Sequence, residues 1–172
     1  MYSRFKLTLD YIKEIQNCND VIDIGCGPGR YSVELANMGY SVLGVDIAEK
    51  MIEIAKNSNP NESKCKFLYC DYLEKNFSQK FDAAILMGFF DYINDPKIVF
   101  EKLKKETRYV LASFPKKWHW LTFQRAIRYK IRKCPLYFYS YKNIVDILNY
   151  LSINKYKIVD NDREFFLFVE IN

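Results

Sequence analysis

The residues with the clearest chemical meaning are Asp23-Ile24-Gly25-Cys26-Gly27-Pro28-Gly29. Glycines let a backbone turn sharply and approach a ligand without a Cβ in the way. A helical pattern begins at Arg30, and a helix N-terminus offers free N–H groups and a positive dipole end to a carboxylate or phosphate. Read alone, such a loop is equally a tight strand-to-helix turn. Three acids at successive strand ends add chemistry. Asp23 lies just before the loop, where its charge would oppose a pyrophosphate but favour a ligand carrying an ammonium and a sulfonium. Asp46 stands where an acid accepts hydrogen bonds from both ribose hydroxyls. Asp71 stands where a carboxylate accepts one from an adenine amino group.

The elements that must position these residues alternate. Phe5 to Gln16 has helical spacing at Leu9, Ile12 and Ile15. Val21 to Ile24 reads as a short buried strand ended by the glycine loop, and Arg30 to Met38 as a helix stopped by Gly39. Ser41 to Asp46 is a second strand and Ala48 to Asn57 a helix. Lys66 to Cys70 and Phe81 to Met87 are further strands. Pro96 opens a helix running to about Glu106. Arg108 to Phe114 is a fifth strand, ended by Pro115. Lys142 to Leu151 is a helix, and Tyr156 to Asp160 and Phe165 to Ile171 are closing strands joined at Asn161-Asp162. Alternating strands and helices imply a parallel sheet with helices on both faces. The short last connection makes the closing pair antiparallel, since a parallel pair needs a crossover of about a dozen residues. In such sheets ligands bind beyond the carboxyl ends of the strands, at the switch point.

From Val21 to Pro115 the sequence resembles the class I S-adenosylmethionine-dependent methyltransferases, especially the small-molecule type 11/12-like branch. The first motif of that family matches Val21 to Gly29 closely. The resemblance implies that Gly25, Cys26, Gly27 and Gly29 hold the methionine part of the cofactor, and that Asp46 binds the ribose. It implies that Ile47 and Met51 flank the adenine, and that the Cys70-Asp71-Tyr72 motif touches it through Asp71. Met87, in Leu86-Met87-Gly88-Phe89-Phe90, falls at the sulfonium end. Tyr31 is a candidate to line the methionine site. The implied fold is a Rossmann-like α/β seven-stranded sheet, mostly parallel with an antiparallel last strand. The fourth motif lacks the Asn/Asp-Pro-Pro-Tyr/Phe pattern of adenine- and glutamine-modifying relatives, and no Pro-Cys dipeptide follows the fourth strand. Both absences weigh against nucleic-acid bases and protein amides as acceptors.

A second unusual stretch follows the fifth strand. From Lys116 to Tyr139 there are seven Lys/Arg and no Asp or Glu, so this part carries +7 in a chain of net charge +5. Trp120, Phe123, Ile127 and Ile131 recur at helical spacing, with Arg125, Arg128 and Arg132 on another face, as in a basic amphipathic helix. One reading is a helix packed on the domain with a solvated basic face. Another is a lid over the pocket, favouring an anionic acceptor. Membrane-surface or RNA contact are two more. His119, the one histidine, lies here and is a candidate general base. Asp91 and Tyr92, after the fourth strand, are the other candidate catalytic residues.

The expected whole is one domain over residues 1–172, with a lid-like insertion at about 116–139. Five cysteines without a Cys-x-x-Cys pair argue against a disulfide framework or metal site and for a reducing cytoplasm. No apolar stretch has the length of a bilayer span. The expected activity is methyl transfer from S-adenosylmethionine to a small, anionic acceptor by direct displacement at oxygen or nitrogen. RNA- or lipid-associated methylation and a non-catalytic S-adenosylmethionine-binding module are the alternatives. A nicotinamide-dependent oxidoreductase shares the loop but not Asp23.

Overall fold

The structure is a computed structural model, described here for residues 4–117 and 136–171. Its elements are α1 (Arg4–Glu14), β1 (Asp20–Ile24), α2 (Arg30–Asn37), β2 (Ser41–Asp46), α3 (Glu49–Asn57), β3 (Cys65–Tyr69) and β4 (Phe81–Leu86). A one-turn 3-10 helix (Phe89–Tyr92), α4 (Pro96–Glu106), β5 (Thr107–Pro115), α5 (Tyr141–Tyr150), β6 (Lys155–Asn161) and β7 (Glu164–Glu170) complete them. The seven strands form one sheet in the order β3-β2-β1-β4-β5-β7-β6. β7 runs antiparallel to both β5 and β6, and the other neighbours are parallel.

The apolar strands are buried on both faces because each face carries helices. Alternation along a strand sends successive side chains to opposite sides. On one side Ile22, Ile24, Leu86 and Val110 pack with Val99 and Phe100 of α4 and Ile144 and Leu148 of α5. On the other, Val21, Ile85 and Leu111 pack with Ile12 of α1, Leu35 of α2 and Ile52 of α3. Local chemistry fixes the helix starts. Asp95 caps α4 by accepting from the Lys97 N–H, with Pro96 in the first turn. Ser140 and Asn143 form a reciprocal capping box on α5.

The sequence-based elements coincide with these to within a residue or two, with one omission. The 3-10 turn Phe89–Tyr92 had no periodicity long enough to reveal it. Pro115 is the last residue of β5 rather than its terminator, because its carbonyl still accepts from the Tyr139 N–H at 2.8 Å. Lys116 and Tyr139 form a bridge between the two ends of the basic segment. Residues 118–135, which include His119 and most of the expected lid, lie outside the described residues. Among the described residues no helix is long and apolar enough to cross a membrane.

The strand order reverses direction between β1 and β4, so the switch point opens beyond their carboxyl ends. One ring sets the shape there. Phe67 of β3 lies against two glycines: a Cβ on Gly29 would meet its Cζ at 2.6 Å, and a Cβ on Gly44 its Cδ1 at 2.6 Å. Gly29 also has a φ of 81°, which a side chain would strain. Gly44→Ala should therefore destabilise the fold by about 1–3 kcal/mol through overpacking. Chemical denaturation checks this: Phe67→Leu in the same chain should recover part of the loss, and a Gly44→Ala protein as stable as the parent would contradict the packing described.

Candidate functional site

A cavity of about 720 Å³ opens at the switch point. Pockets of this size hold ligands as large as a nucleoside cofactor. Its floor is the glycine loop, and that loop is fastened to the end of β2. The Gly25 and Cys26 N–H groups both donate to the Val45 carbonyl, at 2.8 and 3.0 Å. The Gly27 N–H donates to Asp46 Oδ2 at 2.8 Å, and the Ala48 N–H donates to Asp46 Oδ1 at 2.8 Å. Asp46 is thereby fixed on the cavity wall with both oxygens oriented. Each carboxylate oxygen can accept more than one hydrogen bond, so a pair of neighbouring hydroxyls can still be received.

Next to it stand apolar and polar groups suited to a flat base. Ile47 is 65% exposed, an apolar side chain left in solvent at the rim, with Met51 nearby on the wall. Asp71 lines the opposite side, its Oδ1 accepting from the Leu73 N–H at 2.8 Å. Tyr72 lines the cavity with its ring, while its hydroxyl donates to Glu106 Oε2 at 2.8 Å in the interior. Burial and that carboxylate push the phenol strongly up, so Tyr72 is a packing surface rather than an acid or base.

The other end of the cavity is built by β4 and the turn after it. Met87 lines the wall, and the Thr8 hydroxyl oxygen, which donates to the Arg4 carbonyl at 2.9 Å, lies 3.5 Å from its sulfur. Asp91 is buried and Tyr92 is 46% exposed; both line the cavity. The last residues of the basic segment hold their turn in place. The Tyr137 N–H donates to the Asp91 carbonyl at 2.9 Å, and the Tyr139 hydroxyl donates to the Ile93 carbonyl. Lys116, counted in the basic stretch, is paired with Asp160 and lies over the Phe165 ring.

Four of the expected cofactor residues are not on the cavity wall. Asp23 is 1% exposed, beneath the loop, and receives the Ser32 hydroxyl at 2.6 Å. Its position two residues before Gly25, on a strand buried on both sides, turns it into the core rather than toward the opening. Burial raises its carboxyl to about 7, against the lowering effect of Ser32 and with a further push from Asp46. Cys26 is buried in the same layer, and burial with the nearby Asp23 pushes its thiol far up, away from reactivity. Gly29 is turned against Phe67. Tyr31 accepts from Arg4 Nε at 3.2 Å and packs on Phe5 at 5.0 Å between ring centroids. The structure therefore gathers Gly25, Gly27, Asp46, Ile47, Met51, Asp71, Tyr72, Met87, Asp91 and Tyr92 around one space.

One charged residue on the wall escaped sequence reasoning. Arg4 reaches the cavity from the first turn of α1 and contacts Tyr31, Ser113 and Glu164. These partners are 27, 109 and 160 residues away, so no local pattern could announce them. Among the described residues no group of three or more His, Cys, Asp or Glu is arranged to hold a metal ion.

An open sheet with a glycine loop after β1 and an acid at the end of β2 defines a Rossmann-like, nucleoside-binding domain. The chain belongs to the methyltransferase domain family, whose model matches residues 21–112, and with it to the class I enzymes whose cofactor is S-adenosylmethionine. A stretch of 91 residues is 38% identical to magnesium-protoporphyrin O-methyltransferase of Rhodobacter capsulatus, covering 51% of this chain and 40% of that protein. Another of 107 residues is 26% identical to ubiquinone biosynthesis O-methyltransferase of Hydrogenovibrio crunogenus, covering 59% of this chain and 44% of that protein. The matched part thus spans less than half the length of these curated relatives. Among solved structures, magnesium protoporphyrin IX methyltransferase of Synechocystis PCC 6803 with bound SAH shares the fold. It has a TM-score of 0.74 and 22% identity, over 96% of this chain and 81% of that one.

The buried Asp23 gives a measurable signature. Its carboxyl titrates near 3.8 when unfolded and near 7 in the fold. Between those values the folded chain keeps a proton that the unfolded chain has released. Stability therefore falls as pH rises from about 4 to about 7 and levels off above. In Asp23→Asn this component should vanish. Urea unfolding at pH 5 and pH 8 checks it, and an identical pH dependence in both proteins would contradict the burial described.

Proposed function

We propose that the cavity binds S-adenosylmethionine in one orientation and that the domain transfers its methyl group to the oxygen of a small acceptor. The observation that carries this reading is Asp46, oriented by the Gly27 and Ala48 N–H groups at the junction of loop and cavity. In this orientation Asp46 receives the two ribose hydroxyls, Ile47 and Met51 cover one side of the adenine, and Asp71 accepts from its amino group. The methionine part lies along Gly25 and Gly27, with Arg4 as the cation on the wall for its carboxylate. Asp23, Cys26, Gly29 and Tyr31 support that part from behind, by packing and through the charge of Asp23.

Bound S-adenosylmethionine supplies an electrophilic methyl group on a positively charged sulfur. The protein's part is alignment and exclusion of water. Met87, Gly88 and Phe89 wall the space beside the reacting centre, and Asp91 and Tyr92 face the space left for an acceptor. Asp91 takes the proton of an acceptor hydroxyl as its oxygen attacks, and Tyr92 orients that oxygen. His119, in the basic segment, is a second candidate for the base. The surplus of positive charge between Lys116 and Tyr139 favours an acceptor carrying a carboxylate. The relatives named for O-methylation of a ubiquinone precursor pathway and of magnesium protoporphyrin support oxygen as the atom methylated.

Two measurements test the reading. Asp46→Ala should weaken S-adenosylmethionine binding by about 10- to 150-fold, the loss of a charge-assisted contact worth about 1.5–3 kcal/mol. Calorimetry on the folded variant reads this directly, and unchanged affinity would remove Asp46 from the ribose site. Transfer of a tritiated methyl group should label small hydroxylated or carboxylated aromatic molecules. Label confined to RNA or to lipid, or no label in any fraction despite tight cofactor binding, would overturn the acceptor assignment.

A further inference from the structure

Arg4 is held against the cavity from three directions. Its Nε donates to the Tyr31 hydroxyl oxygen at 3.2 Å, and its Nη1 donates to Ser113 Oγ at 3.2 Å and to Glu164 Oε2 at 2.9 Å. The three partners come from α2, β5 and β7. Of these four residues Arg4 alone lines the cavity. Ser113 Oγ also accepts from the Gly88 N–H at 2.9 Å, and Gly88 leads into the turn carrying Asp91 and Tyr92. The cluster therefore joins the first helix to the reacting end of the site.

The charges around this cluster are unbalanced in an informative way. Asp46, Asp71 and Asp91 line the cavity, whereas Arg4 is its one Lys or Arg among the described residues. Among the described residues, Arg4 is the cation on the wall that a ligand carboxylate entering here would meet. An unrestrained arginine side chain loses rotamer entropy when a ligand fixes it. A guanidinium fixed in advance avoids that loss, and its five N–H donors exceed the three acceptors named above. Glu164 is the charged member of the fixing set. Its side chain is 17% exposed, against 35% for Arg4, so the pair is shielded enough for the attraction to hold geometry. Tyr31 and Ser113 are neutral, so Glu164 is the one charged group hydrogen-bonded to the guanidinium among these three, and Asp91 adds a weaker attraction.

We infer that Glu164 is a positioning residue of this site: through its ion pair it holds Arg4 on the cavity wall, ready to receive a ligand carboxylate. The inference rests on reading the cavity as the S-adenosylmethionine site. The carboxylate belongs either to the amino-acid end of the cofactor or to the acceptor, and the experiment separates the two.

The test uses the full chain with Glu164→Gln, Glu164→Asp and Arg4→Met, each confirmed as folded by circular dichroism. Calorimetric affinities are measured for S-adenosylhomocysteine and for methylthioadenosine, which has the same nucleoside but no carboxylate. Glu164→Gln should weaken S-adenosylhomocysteine binding at least five-fold and methylthioadenosine less than two-fold. Glu164→Asp should restore part of the loss, and adding Glu164→Gln to Arg4→Met should cost nothing further. If the carboxylate is the acceptor's, both nucleosides bind unchanged, while the KM for a carboxylated small molecule labelled in the tritiated-methyl assay rises at constant kcat. Equal weakening of both nucleosides, or no change in affinity and KM alike, overturns the inference. Failure of the parent protein to bind either nucleoside overturns the reading of the cavity itself, and the inference with it.

Discussion

The site depends on one junction, where the loop after β1 is tied to the end of β2. Four backbone N–H groups converge there: those of Gly25 and Cys26 on the Val45 carbonyl, and those of Gly27 and Ala48 on the Asp46 carboxylate. Inside the loop the Cys26 carbonyl receives the Gly29 N–H at 3.1 Å, but the Gly25, Cys26 and Gly27 N–H groups need acceptors from outside, and leaving them unpaired away from water would be costly. The neighbouring strand supplies the acceptors. The same carboxylate that closes the loop is thereby presented to the cavity, so the folding requirement and the binding geometry are one arrangement. Phe67, packed into the space left by Gly29 and Gly44, supports this junction from below.

Electrostatics give the cavity a direction. Asp46 and Asp71 flank the end where Ile47 and Met51 stand, and a fixed arginine stands near Gly88 at the other, where Asp91 also lines the wall. A ligand with hydroxyls and an amino-bearing base at one end and a zwitterionic amino acid at the other matches that sequence of groups. Asp23 adds a buried carboxyl group near the loop without touching the cavity. It is held by Ser32 with Asp46 as its charged neighbour, and burial keeps it largely neutral below about pH 7. A positively charged ligand above the loop would favour its ionised form.

Much of the fold was legible because it follows from periodicity. The strands β1, β2 and β4 are short apolar runs, α3 and α4 carry apolar residues on one side, and the turn between β6 and β7 fixes their antiparallel pairing. Asp46 and Asp71 were legible because a strand end after a glycine loop is a defined place in a doubly wound sheet. Asp23 illustrates the limit: its neighbourhood was clear but its orientation depends on which side of a fully buried strand it faces, and it faces Ser32. Arg4, Ser113 and Glu164 were not legible, since their association is made by three distant segments meeting above the sheet. The turn Phe89–Tyr92 was missed because it is a single turn held from outside by Tyr137 and Tyr139.

In the proposed binding mode, the space above β1 and β4 receives a nucleoside with its ribose on Asp46. A crystal structure of the protein with S-adenosylhomocysteine tests it most directly. Both ribose hydroxyls should lie within hydrogen-bond distance of the Asp46 oxygens, the adenine between Ile47 and Asp71, and the amino-acid end along Gly25 and Gly27. A nucleoside bound elsewhere, or one lying in the cavity with its ribose away from Asp46, would contradict it.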